Sequence, residues 1–240
     1  MIIQKDIKSV SEYWDTTGEW RLNYFENLKK TPDEKLNSVL RAEKEFALTE
    51  ESVLKSLLSE SKSVLELGCG VGRSIINEIA NNPEVSFVGI DLSPCQIKLF
   101  QEQINSRNLK NARAYVSNVD GMNWLDEKFD LIMMCNHTFG NFLGETREKC
   151  LNEMCRLLHG NGKIMVGGFT NISIAEQCYK EWNIEIEHIG YESGFFQLKN
   201  YNSYWQKQDE TNNEFLNHGF YCVNSVENTL GFVNTYGKQK

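Results

Sequence analysis

The stretch Val64-Leu-Glu-Leu-Gly-Cys-Gly-Val-Gly-Arg-Ser74 carries a short apolar segment straight into a loop with glycine at every second position. Ser63 to Leu67 has the composition of a buried parallel strand. Gly68, Gly70 and Gly72 then present no side chain that would hold a ligand off the main chain. Ser74 to Ala80 places Ile75, Ile76 and Ile79 at helical spacing, so the loop feeds a helix N-terminus with free N–H groups. Val85 to Ile90 reads as a second strand, and Asp91 closes it. In a strand, loop, helix, strand unit an acid at that point accepts hydrogen bonds from a ribose diol. The unit predicts a nucleoside pocket at the carboxyl ends of a parallel sheet.

The glycine spacing departs from the G-x-G-x-x-G dinucleotide fingerprint, because Arg73 stands where close approach of a pyrophosphate to the helix asks for glycine. NAD is disfavoured on that ground. With Glu66 ahead of the first glycine, Glu66-Leu-Gly68-Cys-Gly70-Val-Gly72 resembles motif I of the class I S-adenosylmethionine (SAM)-dependent methyltransferases. Further segments resemble that family in order. Val88-Gly-Ile-Asp-Leu-Ser93 is similar to its second strand, Tyr115-Val-Ser-Asn-Val-Asp120 to its third and Phe129-Asp-Leu-Ile-Met-Met134 to its fourth. Leu157 to Val166 is similar to the approach to its fifth. The resemblance covers residues 63 to 169. It implies an α/β fold: a doubly wound, Rossmann-like seven-stranded sheet with an antiparallel last strand.

The same resemblance implies SAM as cofactor and assigns the pocket residue by residue. Glu66, Gly68 and Gly70, with Cys69 and Gly72 in the same loop, would line the methionine portion. Asp91 would hold the ribose hydroxyls, Leu92 would pack on adenine, and Asn118 with the Val119 backbone would read its amino edge. Asn118 departs from the aspartate common at that place, and Asp120 is a rival for the role. The loop Cys135-Asn-His-Thr-Phe-Gly-Asn-Phe142 would lie beside the sulfonium. Methyl transfer is an in-line displacement, so groups that position the reactants matter more than an activated side chain. His137 is the candidate general base. Asn136 is the candidate for orienting the acceptor or the cofactor ammonium. Tyr13, Trp14, Tyr24, Tyr191, Tyr201 and Trp205 are candidates for an aromatic acceptor wall, and Arg73 for meeting an acceptor carboxylate or pointing to solvent.

Two helices are predicted ahead of the motif, Ser9 to Leu28 and Pro32 to Leu58, the second capped by Thr31. Residues 1 to 60 thus read as a helical cap on a SAM-binding domain spanning 61 to 240. Beyond the first unit, strands are predicted near 112 to 116, 129 to 135 and 162 to 169, with helices near 94 to 106 and 145 to 158. After a helix at Ile172 to Glu181, residues 184 to 207 alternate around Gly190-Tyr-Glu-Ser-Gly194 and read as a hairpin or an extra sheet edge. That piece is the expected acceptor-site insertion. Asp209 to Asn217 reads as a short helix stopped at Gly219, before the strands Phe220 to Val226 and Leu230 to Tyr236.

Composition narrows the class of acceptor. A formal net charge of −8, with no dense run of Lys and Arg, argues against nucleic acid. Seven scattered cysteines without a C-x-x-C pair indicate neither zinc nor a disulfide framework, so no metal is expected. With no signal peptide or membrane-length apolar run, the expectation is a cytoplasmic protein, monomer or homodimer. Its expected activity is methyl transfer to N or O of a small metabolite, amino-acid-like or a natural product. Two alternatives stay open: aminocarboxypropyl transfer or intramolecular cyclisation of SAM, and a SAM-binding regulator without turnover. The last is separated by whether residues 136 to 142 border an enclosed cavity.

Overall fold

The computed structural model describes residues 5–239. Its first half contains the helices α1 (Ile7–Asp15), α2 (Gly18–Lys30), α3 (Ser38–Leu58), α4 (Ile76–Asn81) and α5 (Pro94–Ser106), and the strands β1 (Ser63–Leu67), β2 (Ser86–Asp91) and β3 (Ala112–Val116). Then come β4 (Phe129–Met134), α6 (Gly144–Leu157), β5 (Leu158–Phe169), α7 (Ala175–Glu181), β6 (Ile186–Gly190), β7 (Phe195–Leu198) and β8 (Asn202–Tyr204). The last elements are α8 (Gln208–Asn217), β9 (Phe220–Glu227) and β10 (Gly231–Lys238).

Seven strands form one sheet in the order β3-β2-β1-β4-β5-β10-β9. The first five are parallel, and β10 runs antiparallel between β5 and β9. This is the Rossmann-like methyltransferase fold. Strand order reverses between β1 and β4, which opens a crevice at their carboxyl ends. Both central strands are buried along almost their whole length because helices cover both faces. Their side chains alternate between the two cores: Val64 and Leu131 join Phe46, Ile79 and Phe100 on one face, while Leu65 and Ile132 join Leu151 and Met154 on the other.

The N-terminal segment departs from the expected pair of long helices. The first breaks at Thr16 and Thr17, whose hydroxyls bond the Tyr13 and Trp14 carbonyls at 2.7 and 2.9 Å and so compete with the helix ladder. Gly18 then starts α2 where a Cβ would lie 2.8 Å from Leu99, so the chain turns against α5. The second helix is capped by Asn37, which accepts from the Leu40 N–H at 2.9 Å, rather than by Thr31; Pro32 instead opens a 3-10 turn at Asp33–Lys35. α3 also does more than cap, since Val39, Phe46 and Leu54 are buried in the sheet's own core.

Residues 184 to 207 contribute neither a simple hairpin nor an edge to the main sheet. β6, β7 and β8 make a separate three-stranded antiparallel sheet. Phe196, Leu198 and Trp205 sink from it into the core beside Tyr179 of α7. Among the described residues, no helix is long and apolar enough to cross a membrane.

Candidate active site

The glycine loop is fixed before any ligand arrives. The N–H groups of Gly68 and Cys69 donate to the Ile90 carbonyl at 2.8 and 3.0 Å, tying the end of β1 to the end of β2. Gly70 donates its N–H to Asp91 Oδ2 at 2.8 Å, and Ser93 donates to Oδ1 at 2.9 Å. All three glycines have positive φ, at 68°, 54° and 76°, a region costly for other residues. The volume their missing side chains leave is taken by protein: a Cβ on Gly68 would meet Thr138 at 2.4 Å, and one on Gly72 would meet the Phe100 ring at 2.2 Å. Gly68, Cys69 and Gly70 face the cavity beyond the strand ends. Gly72 does not, and its role is packing against α5 rather than the cofactor contact expected of it.

That cavity measures about 230 Å³. Glu66 enters it from the end of β1, 1% exposed, with Oε2 lacking any hydrogen-bond partner. Burial pushes its carboxyl up to about 8 against the opposing pull of Arg73 and Ser74. Asp91 is also raised by burial, opposed by the Ser93 and Gly70 N–H groups and by Arg21. Each Asp91 oxygen has one backbone donor and keeps further acceptor capacity. Leu92, Asn118 and Val119 line the adjoining wall, whereas Asp120 does not, so Asn118 is the polar side chain of that pair facing the cavity.

The loop after β4 forms the floor. Asn136 and His137 are both left-handed, at φ 51° and 63°. The Asn136 N–H donates to Glu50 Oε1 at 2.6 Å. Arg147 of α6 clamps the following turn by donating to the Phe139 and Phe142 carbonyls at 2.8 and 3.2 Å, while pairing with Glu214 at 2.7 Å and bonding Gln206. His137 lies on the cavity wall, but its geometry does not suit the expected general base. Its ring stacks on Phe169 at 4.6 Å, and Nδ1 accepts the Phe169 N–H at 2.9 Å. The neutral ring therefore carries its proton on Nε2, which is buried without a partner. Burial and the Arg147 charge push its pKa down to about 3, so neither nitrogen is free to take a proton near neutrality.

Helices α1 and α2 close the opposite side. Trp14, Tyr201 and Trp205 line the cavity. Tyr13 does not line it and stacks on Tyr201 at 5.4 Å. Tyr24 is also outside, stacked on Trp20 at 4.5 Å and donating to Glu43 at 2.8 Å. Tyr191 is 57% exposed in the β6–β7 turn and does not line the cavity. Arg73 faces inward over the Phe25 ring at 3.6 Å rather than toward solvent. The sequence reading missed Arg21, Glu43, Tyr179 and Trp182 on this wall, where Trp20 also lies. Glu43 and Glu50 had a legible signal: they fall among Val39, Ala42, Phe46, Val53 and Leu54 on the apolar stripe of α3. Among the described residues, no cluster of three or more His, Cys, Asp or Glu could hold a metal ion.

Residues 58–216 match the methyltransferase-domain family model. More than half of the chain is covered, and the chain belongs to that family, as a class I SAM-dependent methyltransferase. Among solved structures it is similar to magnesium protoporphyrin IX methyltransferase (ChlM) of Synechocystis PCC 6803, with TM-score 0.67 and 14% identity over 98% of this chain and 100% of that one. It is also similar to the PH0226 protein of Pyrococcus horikoshii OT3, with TM-score 0.64 and 16% identity over 80% and 89%. At these identities the likeness is one of fold alone. Among curated proteins, "Methyltransferase ungE'" of Aspergillus campestris is 24% identical over 174 residues, 68% of this chain and 48% of that protein. "Uncharacterized protein RP028" of Rickettsia prowazekii is 30% identical over 103 residues, 43% and 41% respectively. The matches thus span less than half the length of these curated relatives.

The cofactor of this enzyme is SAM, and the donor set fits it. An unpartnered buried carboxylate oxygen at Glu66 matches an ammonium. Two half-satisfied oxygens on Asp91 match a diol, and the apolar Leu92 and Val119 beside Asn118 match a purine with a polar edge.

Proposed function

We propose that the enzyme methylates N or O of a small metabolite, amino-acid-like or natural-product in type. The carrying observation is a single cavity with the Glu66, Gly68, Gly70 and Asp91 cradle on one side and Trp14, Tyr201 and Trp205 on the other. Bound SAM supplies an electrophilic methyl group on a sulfonium. In this reading Glu66 holds the ammonium, Asp91 the ribose hydroxyls, and Leu92, Asn118 and Val119 the adenine. Asn136 orients the acceptor from the floor. The aromatic wall excludes water and holds the acceptor in line; such alignment supplies up to about 7–11 kcal/mol of barrier reduction. His137 takes no part in proton transfer, and the acceptor's proton passes to the acceptor's own basic groups or to bulk water once the product leaves.

Asn136, His137, Thr138, Asn141 and Phe142 all border the cavity, which supports turnover over a purely regulatory role. The net charge of −8 supports a small acceptor over nucleic acid. Seven free cysteines support a reducing compartment, which we take to be the cytoplasm. The test is incubation with SAM and a metabolite library, with mass spectrometry of acceptor and sulfur by-product. S-adenosylhomocysteine (SAH) with an acceptor gaining one methyl group is the expected result. Methylthioadenosine in its place would overturn methyl transfer in favour of aminocarboxypropyl transfer or cyclisation.

A further inference from the structure

Glu50 is a buried acid that the proposed chemistry leaves unused. It sits in the middle of α3, 6% exposed, one turn beyond Phe46, which packs edge-on against Phe169 at 4.9 Å. Placing a carboxylate there costs stability, because desolvation disfavours the ionised form. Two features of the fold nevertheless accommodate it. β5 carries Gly167 directly beneath, where a Cβ would stand 2.1 Å from Glu50 Oε1. The chain leaving β4 turns left-handed at Asn136 and again at His137, presenting the Asn136 N–H to the same oxygen at 2.6 Å.

Two successive left-handed residues that are not glycine cost on the order of 1–2 kcal/mol each and persist only where surroundings hold them. Here the segment forms the cavity floor. Asn136, His137 and Thr138 line it, and the Thr138 methyl fills the space over Gly68. We propose that Glu50 is a positioning residue for the SAM site: by accepting the Asn136 N–H it holds the floor in its left-handed form and keeps Thr138 seated over the glycine loop. The hydrogen bond, rather than the charge, is what the geometry requires, so an amide oxygen at position 50 serves as well. This inference rests on the cavity being the cofactor site.

The test uses SAH as probe, so it needs no knowledge of the acceptor. Calorimetric affinity and the Asn136 amide resonance are measured on folded wild type, Glu50→Gln, Glu50→Leu and Gly167→Ala. Expected are an SAH affinity about tenfold weaker in Glu50→Leu, the equivalent of one hydrogen bond, and a change of less than about twofold in Glu50→Gln. The Asn136 amide proton should lie downfield in wild type and Glu50→Gln and move upfield in Glu50→Leu. Gly167→Ala, which crowds the carboxylate without removing it, should repeat the Glu50→Leu result and stands in for it if Glu50→Leu does not fold. Wild-type SAH affinity in Glu50→Leu or Gly167→Ala, an unmoved amide, or equal losses in Glu50→Gln and Glu50→Leu would overturn the proposal. A wild-type protein that fails to bind SAH would instead overturn the site assignment beneath it.

Discussion

Replacing Asp91 by asparagine tests the cradle at its most constrained point. The carboxylate accepts the Gly70 N–H at 2.8 Å on one oxygen and the Ser93 N–H at 2.9 Å on the other. An amide keeps one acceptor, but its NH₂ must face one of those two backbone donors. One charge-assisted hydrogen bond is lost, worth about 1.5–3 kcal/mol, and a backbone N–H is left without its acceptor. The ribose side loses an acceptor at the same atom. Because about 1.4 kcal/mol is a factor of ten, SAH affinity should fall by about 10- to 150-fold in Asp91→Asn. Relief of the desolvated charge offsets part of the folding cost, so the loss should register more in affinity than in stability. Isothermal titration calorimetry at neutral pH gives the number. Affinity within about twofold of wild type would mean that Asp91 serves the loop alone, and the ribose assignment would fall.

Glu66 should make SAH binding proton-linked. Its carboxyl is held up to about 8 when free, and an ammonium at Oε2 favours the ionised form. Binding at pH 7 should therefore release a proton, read as a dependence of calorimetric enthalpy on buffer ionisation enthalpy, and Glu66→Gln should abolish it. For the free protein, the folded pKa lies above the unfolded value near 4.5. Glu66 thus costs no stability below about 4.5, and its cost grows as pH rises toward about 8. Glu66→Gln should raise the melting temperature increasingly across that window. His137 should remain neutral, its imidazole NMR shifts flat from about pH 5 to 8. Its folded pKa, depressed to about 3, removes stability as pH falls below the unfolded value of 6.5. Gly72→Ala forces a methyl to 2.2 Å from Phe100 at φ 76°; combined backbone strain and overpacking should cost about 2–5 kcal/mol in denaturant unfolding.

The sheet and its cofactor edge were legible because they rest on local patterns. β1 and β3 have the bounds expected of them, Ser63–Leu67 and Ala112–Val116, and Asp91 stands at the end of β2 as the motif demands. What stayed hidden was set by tertiary contact. The first helix ends at Thr16 and Thr17, and Gly18 lets α2 pack against Leu99, far along the chain, where there is no room for a side chain. His137 looked like a base because its type suggests one, yet the Phe169 N–H and the Arg147 charge decide its chemistry. Tyr13, Tyr24 and Tyr191 show that aromatic type alone does not tell which rings face inward. The resemblance named the cofactor wall, and the acceptor wall carries no pattern shared with it.

The contact between α1 and the start of α5 has a practical consequence. Asp15 accepts from the Ser93 hydroxyl at 2.5 Å and the Cys95 N–H at 2.9 Å, while Gln96 donates to the Trp14 carbonyl at 2.9 Å. These bonds stand within five residues of Asp91. Trimming the first helix to obtain a shorter protein would thus strip the partners from the start of α5, the segment whose Ser93 N–H holds Asp91, and if Asp91 holds ribose as proposed the remnant should be a weaker cofactor binder instead of a minimal catalyst.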